Sequence, residues 1–368
     1  MYKGTGISKD QLSDDGEPCI LYGELYTKYK SETIREVLSK TNIDNTKLVR
    51  SKANDVIIPC SGETAEDIAT ARCVLNGNIL LGGDLNIIRL HGYDGAFMSY
   101  QLNGRRKYDI AKVAQGVSVV HLYGEHLKGV KTINPCLEEQ KKIAKLLSLL
   151  DERIATQNKI IEDLKKLKSA IIVEHYRQTE KNEVCVADLG NHFNVGNLAK
   201  DDLSETGKPC IIYGELFTTY GEIISQIESH TNKTEGMILS KKGDLLFPSS
   251  TTVDAVSLIA PSVINVGNVI LGGDMFGIHI SHNYNAQYLS YYFNHIAKRQ
   301  LAKFAKGSTI IHLHYADIEK AKLLLPSLEE QDRMAKCIMS LDAKINIENF
   351  FISLLNSQKT HLLRQMFI

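Results

Sequence analysis

The chain has 368 residues, enough for two or three domains, and its 43% hydrophobic and 23% charged residues are typical of a folded globular protein. The 43 basic and 43 acidic side chains cancel, so net charge does not indicate a nucleic-acid partner, and phosphate contacts would need local basic clusters or other subunits. No apolar run reaches the ~20 residues that span a membrane, and the first residues do not resemble a signal peptide.

The seven cysteines contain no Cys-X-X-Cys pair, which disfavours a zinc site and a secreted disulfide framework. We therefore expect a cytoplasmic protein without a bound metal. Cys19 and Cys210 follow prolines at equivalent repeat positions, where a small buried residue is favoured over a reactive thiol.

The sequence repeats itself after about 190 residues. Residues 16–29, GEPCILYGELYTKY, match residues 207–220, GKPCIIYGELFTTY, at 10 of 14 positions. The repeat predicts four parts: globular segments at 1–134 and 178–326, and long helices at 135–177 and 327–368. The second globular segment has an additional strand-like piece before its repeat. The first segment starts abruptly, which antiparallel pairing of the helices would tolerate.

Short β-branched and aromatic runs between Gly, Asn and Asp predict that both globular segments are rich in β-strands. The predicted strands are residues 19–22, 55–58, 78–81 and 117–121, with counterparts at 210–213, 244–247, 269–271 and 309–313. A helix is predicted over 286–306 and ends at Gly307, with a weaker counterpart over 97–115 that Gly104 interrupts. The Leu-Gly-Gly-Asp segments at 81–84 and 271–274 lack the pattern of a phosphate-binding loop, so a hairpin turn is favoured.

Apolar residues recur every seven residues in each long helix, which predicts a coiled coil between them. The predicted seam comprises Leu147, Leu150, Ile154, Ile161, Leu164 and Ile171, with Ile338, Leu341, Ile345, Ile352, Leu355 and Leu362. Lys168 and Lys359 occupy one seam column, where a polar residue fixes the register or marks the end of the seam. We predict an α+β fold in which two β-rich domains are joined by an antiparallel coiled coil, with a pseudo-two-fold internal repeat.

Two segments, PCLEEQKKIAKLLSLLDERI and PSLEEQDRMAKCIMSLDAKI, each close a variable β-rich segment and open a seam helix. With this duplication, the chain resembles the specificity (S) subunit of type I restriction-modification systems over essentially its whole length. The resemblance implies two target-recognition domains, each reading one half of a bipartite site in double-stranded DNA. The helices would set the spacer and bind two modification (methyltransferase) subunits, which carry S-adenosylmethionine and methylate adenine. Restriction (motor-nuclease) subunits, which use ATP and Mg²⁺, would join them, and this chain would hold no cofactor.

Candidate DNA contacts fall into four groups, each with a structural alternative. In the best-matched block, tyrosines and carboxylates either contact DNA or belong to the shared framework, which is favoured: Tyr22, Glu24, Tyr26, Tyr213 and Glu215. Small polar loops follow an apolar strand and are either base-reading loops or solvated turns: Ser61, Gly62, Glu63 and Thr64, with Ser249, Ser250, Thr251 and Thr252.

The densest basic runs either contact phosphate, which is slightly favoured, or form a solvated face: Arg105, Arg106 and Lys107, with Lys298, Arg299, Lys303 and Lys306. Three hydroxyls after a glycine either donate to phosphate or cap a turn: Ser118, Ser308 and Thr309. His121 and His312 have no visible catalytic partner, and we expect both to be buried.

Catalysis by this chain is not indicated, because none of the seven prolines has a proline neighbour and the Asn-Pro-Pro-aromatic motif of adenine methyltransferases is therefore absent. We expect a non-catalytic DNA-specificity subunit. Two alternatives are the equivalent subunit of a type IIB-like enzyme, with a fused methylase-nuclease partner, and a scaffold whose β domains bind protein, which the neutral charge would suit.

Overall fold

A computed structural model describes residues 1–44, 46–116 and 119–367. The chain divides into two compact units, the first comprising Met1–Ile160 and Glu348–Ile368 and the second Ile161–Ile347. The helices are α1 (Glu24–Thr27), α2 (Ala65–Ile68), α3 (Gly95–Asn103), α4 (Lys107–Lys112), α5 (Gly124–Lys128), α6 (Leu137–Gln178), α7 (Glu215–Thr218), α8 (Ala255–Leu258), α9 (Ala286–Tyr292), α10 (Lys298–Leu301), α11 (Tyr315–Ile318) and α12 (Leu328–Gln365).

The strands of the first unit are β1 (Tyr2–Lys3), β2 (Leu12–Ser13), β3 (Glu17–Ile20), β4 (Thr33–Ile34), β5 (Ser39–Thr41), β6 (Asp55–Pro59), β7 (Ser61–Gly62), β8 (Arg72–Val74), β9 (Leu80–Leu81), β10 (Leu85–Ile88) and β11 (Val120–His121). Those of the second are β12 (Asn182–Cys185), β13 (Gly190–Asn194), β14 (Leu203–Ser204), β15 (Lys208–Ile212), β16 (Ile223–Ile224), β17 (Ser229–Thr231), β18 (Ile238–Leu239), β19 (Asp244–Pro248), β20 (Ser250–Thr251), β21 (Ser262–Ile264), β22 (Ile270–Gly272), β23 (Met275–Ile280), β24 (Ile311–His312) and β25 (Lys322–Leu325).

The two units repeat one sheet topology. One five-stranded sheet runs β1-β10-β6-β8-β4 in the first unit and β13-β23-β19-β21-β16 in the second. A second sheet runs β2-β5-β3-β9 and β14-β17-β15-β22-β18, and a small two-stranded sheet joins β7 to β11 and β20 to β24. The pair β12–β25 has no counterpart among the described residues of the first unit. The predicted internal repeat is therefore a repeat of the fold.

The central strands β6 and β19 are buried at every residue, which explains their continuous apolar runs. Cys19 and Cys210 are fully buried, as the sequence indicated, and burial raises the pKa of both thiols to about 11. The expected hairpin at Leu-Gly-Gly-Asp is wrong. Strand β9 pairs with β3 in one sheet and β10 pairs with β6 in another, so this segment is a crossover between sheets.

The long helices pair antiparallel within each unit. In the first unit Asp151 and Gln157 of α6 bind Lys359 and Glu348 of α12, so partners on α12 come earlier as α6 advances. In the second unit Lys168 and His175 bind Asp342 and Glu330 in the same sense. None of the twelve predicted seam residues is exposed, and Leu147, Ile161, Ile338, Ile345 and Leu355 are buried. The predicted antiparallel coiled coil is confirmed.

The helix predicted over 286–306 is interrupted and shorter than expected. It continues from α9 through a π-helical turn at Phe293–Ala297, then α10, and ends in a 3₁₀ turn at Ala302–Phe304. Gly307 therefore does not cap it. In the first unit α3 ends at Gly104 and α4 follows, as the interrupting glycine predicted.

Candidate nucleic-acid interface

In each unit a polar loop follows the buried central strand and is held on both sides by backbone hydrogen bonds. The loops are residues 60–64 and 249–253, and we call them the polar loops. The Cys60 N–H donates to the Asp84 carbonyl at 2.6 Å, and the Cys60 carbonyl accepts from Leu122 N–H at 2.8 Å. Ser249 makes the same bonds with Asp274 (2.7 Å) and Leu313 (2.9 Å). The shared backbone thus presents two different sets of side chains.

The side chains nearest the strand stabilise the first polar loop, and those at its tip are exposed. Ser61 is buried and donates to the Asp84 carboxylate at 3.0 Å. Thr64 caps α2, because its hydroxyl accepts from the Asp67 N–H at 3.1 Å. Gly62 is half-buried, whereas Glu63 and Thr64 are exposed and can approach a ligand.

In the second polar loop Ser249 and Ser250 are buried, and the Thr251 hydroxyl accepts from the Val253 N–H at 3.2 Å. Thr252 is exposed, and Val253 is 73% exposed. Sequence reasoning missed Val253, which a hydropathy pattern assigns to a core but which lies exposed directly before Asp254, the cap of α8. An exposed apolar side chain at a loop tip suits contact with the methyl group of thymine.

The two repeated glutamates are placed as framework. Glu24 and Glu215 are buried, and their carboxylates accept from the backbone N–H groups of Leu21 and Ile212, each at 2.9 Å. Each also accepts a hydrogen bond from a hydroxyl group, that of Ser39 for Glu24 and that of Ser229 for Glu215. These bonds satisfy the carboxylates inside the protein, so the geometry favours the structural reading for both glutamates.

Among the tyrosines of the same block, Tyr26 and Tyr213 lie near the polar loops. Tyr22 is half-buried against the core, while burial and the nearby Tyr22, Asp67 and Glu63 raise the pKa of Tyr26. Tyr26 is therefore near the first polar loop. Tyr213 is 36% exposed and lines a cavity of ≈ 400 Å³ with Gly273 and Asp274, the residue whose carbonyl holds the second polar loop.

Beside the second polar loop a hairpin extends the small sheet, and the first unit has the matching backbone pairing. Paired backbone bonds join Gln115 to His121 at 2.9 and 2.6 Å, and Lys306 to His312 at 2.9 and 2.7 Å. Gly307 has φ +113°, and a Cβ there would lie 2.0 Å from the Ile310 carbonyl oxygen, so the turn requires glycine. Ser308 and Thr309 are exposed on it. Ser118 lies outside the described residues.

The expectation that His121 and His312 are buried is wrong, because His121 is exposed and His312 is only half-buried, and each belongs to a ring pair. The rings of His121 and Tyr123 stack with centroids 6.1 Å apart and planes at 17°, and those of His312 and His314 have the same separation and angle. Strand residues two apart share one face, so alternating rings in His-Leu-Tyr and His-Leu-His were the available signal. Both ring pairs begin at the histidine of this backbone pairing.

The predicted basic residues differ in their surroundings. Arg105, Arg299 and Lys303 are exposed. Arg106 is half-buried and pairs with Asp109 at 3.5 Å, and Lys306 pairs with Asp317 at 2.5 Å.

Lys107 is half-buried and begins α4, which packs against α2 beside the first polar loop. The pKa of Asp254, the cap of α8, is lowered mainly by the Ser257 N–H and hydroxyl and also by the Lys298 ammonium. Because α10 also contacts α8, Lys298 lies next to the second polar loop.

Comparison with known proteins shows which family has this arrangement. A family model described as the type I restriction modification DNA specificity domain matches residues 3–166 and 179–355, one copy per repeat. The chain belongs to this DNA specificity family. It is 24% identical over 354 residues to the type I restriction enzyme MjaVIII specificity subunit of Methanocaldococcus jannaschii, covering 89% of this chain and 80% of that protein. It is 28% identical over 240 residues to the MjaX specificity subunit of that organism, described as putative, covering 60% and 55%.

Solved structures show the same fold. The S subunit of a type I restriction-modification system from M. genitalium aligns with TM-score 0.61 and 16% identity, over 100% of this chain and 93% of that one. A second solved chain aligns with TM-score 0.57 and 14% identity, over 98% of this chain and 93% of that one. It comes from a structure of the assembly and conformational transition of the type I R-M system. In the described part of the chain no group of three or more His, Cys, Asp and Glu could hold a metal, and none of its helices combines the length and the hydrophobicity that a membrane span needs.

Proposed function

We propose that this chain is the non-catalytic reading subunit of a type I restriction-modification complex in the cytoplasm, and that each unit reads one half of a bipartite DNA site. The observation that carries the proposal is the pair of polar loops. Identical backbone bonds present Glu63 and Thr64 in one unit but Thr252 and Val253 in the other. Carboxylate, hydroxyl and methyl groups distinguish different base edges, so the two half-sites differ in sequence.

Phosphate binding falls to the exposed basic side chains around the polar loops, with Arg299 and Lys303 in the second unit. The hairpin hydroxyls Ser308 and Thr309 and the ring of Tyr213 add polar contacts near them. Such contacts position a protein on the duplex without reading sequence. Because the chain has no net charge, partner subunits supply the remaining phosphate contacts.

The outer surface of the long helices is the docking surface for the modification subunits. Several large apolar side chains are 39–64% exposed there although the seam is filled: Leu146, Leu149, Ile160, Leu167, Met339, Ile347, Phe350 and Leu354. An apolar surface rimmed by charge is typical of a protein interface. The adenine methylation, with its S-adenosylmethionine, takes place on those subunits. ATP and Mg²⁺ belong to the motor-nuclease subunits that join them.

Continuous helices give the spacer its length. At about 1.5 Å per residue, the 42 residues of α6 extend roughly 60 Å. The bases between the half-sites remain unread, as in other readers whose geometry sets half-site spacing. A type IIB-like subunit and a protein-binding scaffold are not favoured, because the family and the named relatives are of the type I class.

Loop replacement tests the proposal. The complex is formed with the cognate modification subunit, using wild-type chain, Glu63→Ala/Thr64→Ala or Thr252→Ala/Val253→Ala, and methylated adenines are mapped by sequencing. Each variant is expected to relax one half-site and to leave the other half-site and the spacer unchanged. Unchanged motifs in both variants would contradict base reading by the polar loops.

A further inference from the structure

A buried lysine in the second unit connects both long helices to the globular part. Lys168 of α6 is 5% exposed and donates to Asp342 of α12 at 2.6 Å. It also donates to Glu222, in the globular part, at 3.1 Å. The Tyr291 hydroxyl donates to the second oxygen of Asp342 at 2.6 Å. One ammonium group therefore holds three separate segments of the unit together.

The first unit contains the same arrangement with the helices exchanged. Lys359 of α12 donates to Asp151 of α6 at 2.6 Å and to Glu32 of the globular part at 2.5 Å. The Tyr100 hydroxyl donates to Asp151 at 2.8 Å. The lysines, aspartates and tyrosines of the two arrangements are each 191 residues apart, and the glutamates are 190 apart. We call each set a lysine cluster.

Separating the charged groups of a lysine cluster is energetically unfavourable. A heptad seam of Leu and Ile alone makes similar contacts after a slip of one heptad, so it specifies register weakly. A buried ammonium that loses its carboxylates, or carboxylates that lose their ammonium, leaves an uncompensated buried charge, which is strongly destabilising. Slip of the helices would separate lysine from aspartate, and rotation of the globular part would separate lysine from glutamate. Each lysine cluster therefore opposes both slip of the helices and rotation of the globular part.

From this geometry we infer that Lys168 and Lys359 are positioning residues, which fix the helix register and the orientation of each recognition domain and thereby make the complex intolerant of altered spacers. The inference rests on the proposed function, because a spacer has meaning only for a bipartite site. It predicts that spacer selection depends on side chains that are buried in the seam and contact no DNA.

The second lysine cluster has an additional member. His295 lies with its Nε2 3.0 Å from Glu222 and its Nδ1 3.2 Å from the Ser169 hydroxyl. The corresponding position of the first unit is Gly104, and there Arg72 is the further buried cation, bound to the carbonyls of Tyr29 and Ala71. Glu222 therefore keeps a partner when Lys168 is replaced, which makes the second cluster the better one to test.

The test measures spacer tolerance in the complex with the modification subunit. DNAs with the natural spacer, or one base pair more or less, are methylated by wild-type chain and by Lys168→Met, Lys168→Arg and Lys168→Met/Asp342→Leu. Lys166→Met is the matched control, because Lys166 is exposed on α6 and pairs with exposed Glu162 at 2.6 Å. Circular dichroism and thermal unfolding establish that each variant is folded.

We expect Lys168→Met and the double variant to raise methylation of the altered spacers, relative to the natural one, by about tenfold or more, equivalent to about 1.4 kcal/mol. Lys168→Arg should restore most of the discrimination, and Lys166→Met should behave as wild type. An unchanged ratio in the folded double variant would overturn the inference, whether or not Lys168→Met folds, because the lysine cluster would then contribute stability alone. A wild-type complex without a bipartite motif would instead refute the proposed function.

Discussion

The side-chain oxygen of Gln140 accepts a hydrogen bond from the backbone N–H of Asp94, the cap of α3, at 2.9 Å. Its amide nitrogen donates to the Pro135 carbonyl at 2.7 Å. Gln331 binds Asn285, the cap of α9, and Pro326 in the same way, at 3.0 and 2.9 Å. Both glutamines are 1% exposed. The repeated Leu-Glu-Glu-Gln motif therefore attaches the start of each long helix to its recognition domain.

Replacing this glutamine should destabilise the chain. Gln331→Leu keeps the volume but leaves the Asn285 N–H and the Pro326 carbonyl without their partner, at about 1–3 kcal/mol for each buried group. We expect the free energy of unfolding in urea to fall by about 2–4 kcal/mol. Gln178→Leu is the control, because Gln178 is exposed at the end of α6. Equal stability of the two variants would show that the attachment is unimportant.

The carboxylate of Glu222 should make the free energy of unfolding depend on pH below about 4.5. Burial opposes its ionisation, but His295 and Lys168 together lower its pKa from 4.5 to about 2. Its ionised form therefore stabilises the fold above pH 4.5, by about 3 kcal/mol, and this contribution is lost as the pH falls from 4.5 towards 2. Urea unfolding should show Glu222→Gln less stable than wild type at pH 7 and the gap reduced at pH 3. A gap that is the same at both pH values, or one shared by exposed Glu235→Gln, would contradict this account.

The exposed basic residues should contribute to the affinity for DNA but not to the choice of DNA sequence. Arg299→Ala/Lys303→Ala removes two phosphate contacts, so the slope of log affinity against log salt should become shallower by about 2. Binding of the complex should weaken equally for cognate DNA and for DNA with a mutated half-site. Fluorescence anisotropy over a range of salt concentrations measures both quantities. Lys322→Ala serves as control, because Lys322 pairs with Glu183 on β12, and a wild-type slope in the double variant would exclude phosphate contact.

Charges on the outer helix surface should block assembly. Phe350 and Leu354 are 64% and 49% exposed, so Phe350→Glu/Leu354→Glu removes little buried area and should change thermal stability only slightly. Affinity for the modification subunit, measured by calorimetry, should fall at least tenfold because two charges must be desolvated in the interface. Asn356→Glu places a charge on another exposed face of α12 and should bind normally. Undiminished binding by the double variant would move the docking surface elsewhere.

Local patterns predicted the elements whose signal is periodic or repeated. The heptads of α6 and α12 and the buried runs of β6 and β19 were predictable because each signal lies within one segment. Which strands pair with each other was not predictable in the same way. Nothing near Leu81 indicates that β9 joins a different sheet from β10, because the parallel partner β3 lies about 60 residues away.

The candidate interface likewise contains features that the sequence predicted and features that only the structure shows. The polar loops and basic faces were found from composition, whereas the exposure of His121 and Val253 depends on which side of a two-residue strand or loop faces solvent. The seam position of Lys168 was predicted, but its partner Glu222 is 54 residues away along the chain and on no common element. Buried ion pairs between distant segments leave no local pattern, and the structure was required to find them.

The most direct measurement is a genome-wide map of methylated adenines in cells that express this chain with its cognate modification subunit. The account predicts a motif of two short, different half-sites separated by a fixed number of unread bases, with one methylated adenine in each half-site. A continuous motif, a symmetric pair of identical half-sites, or a spacer of variable length would contradict it.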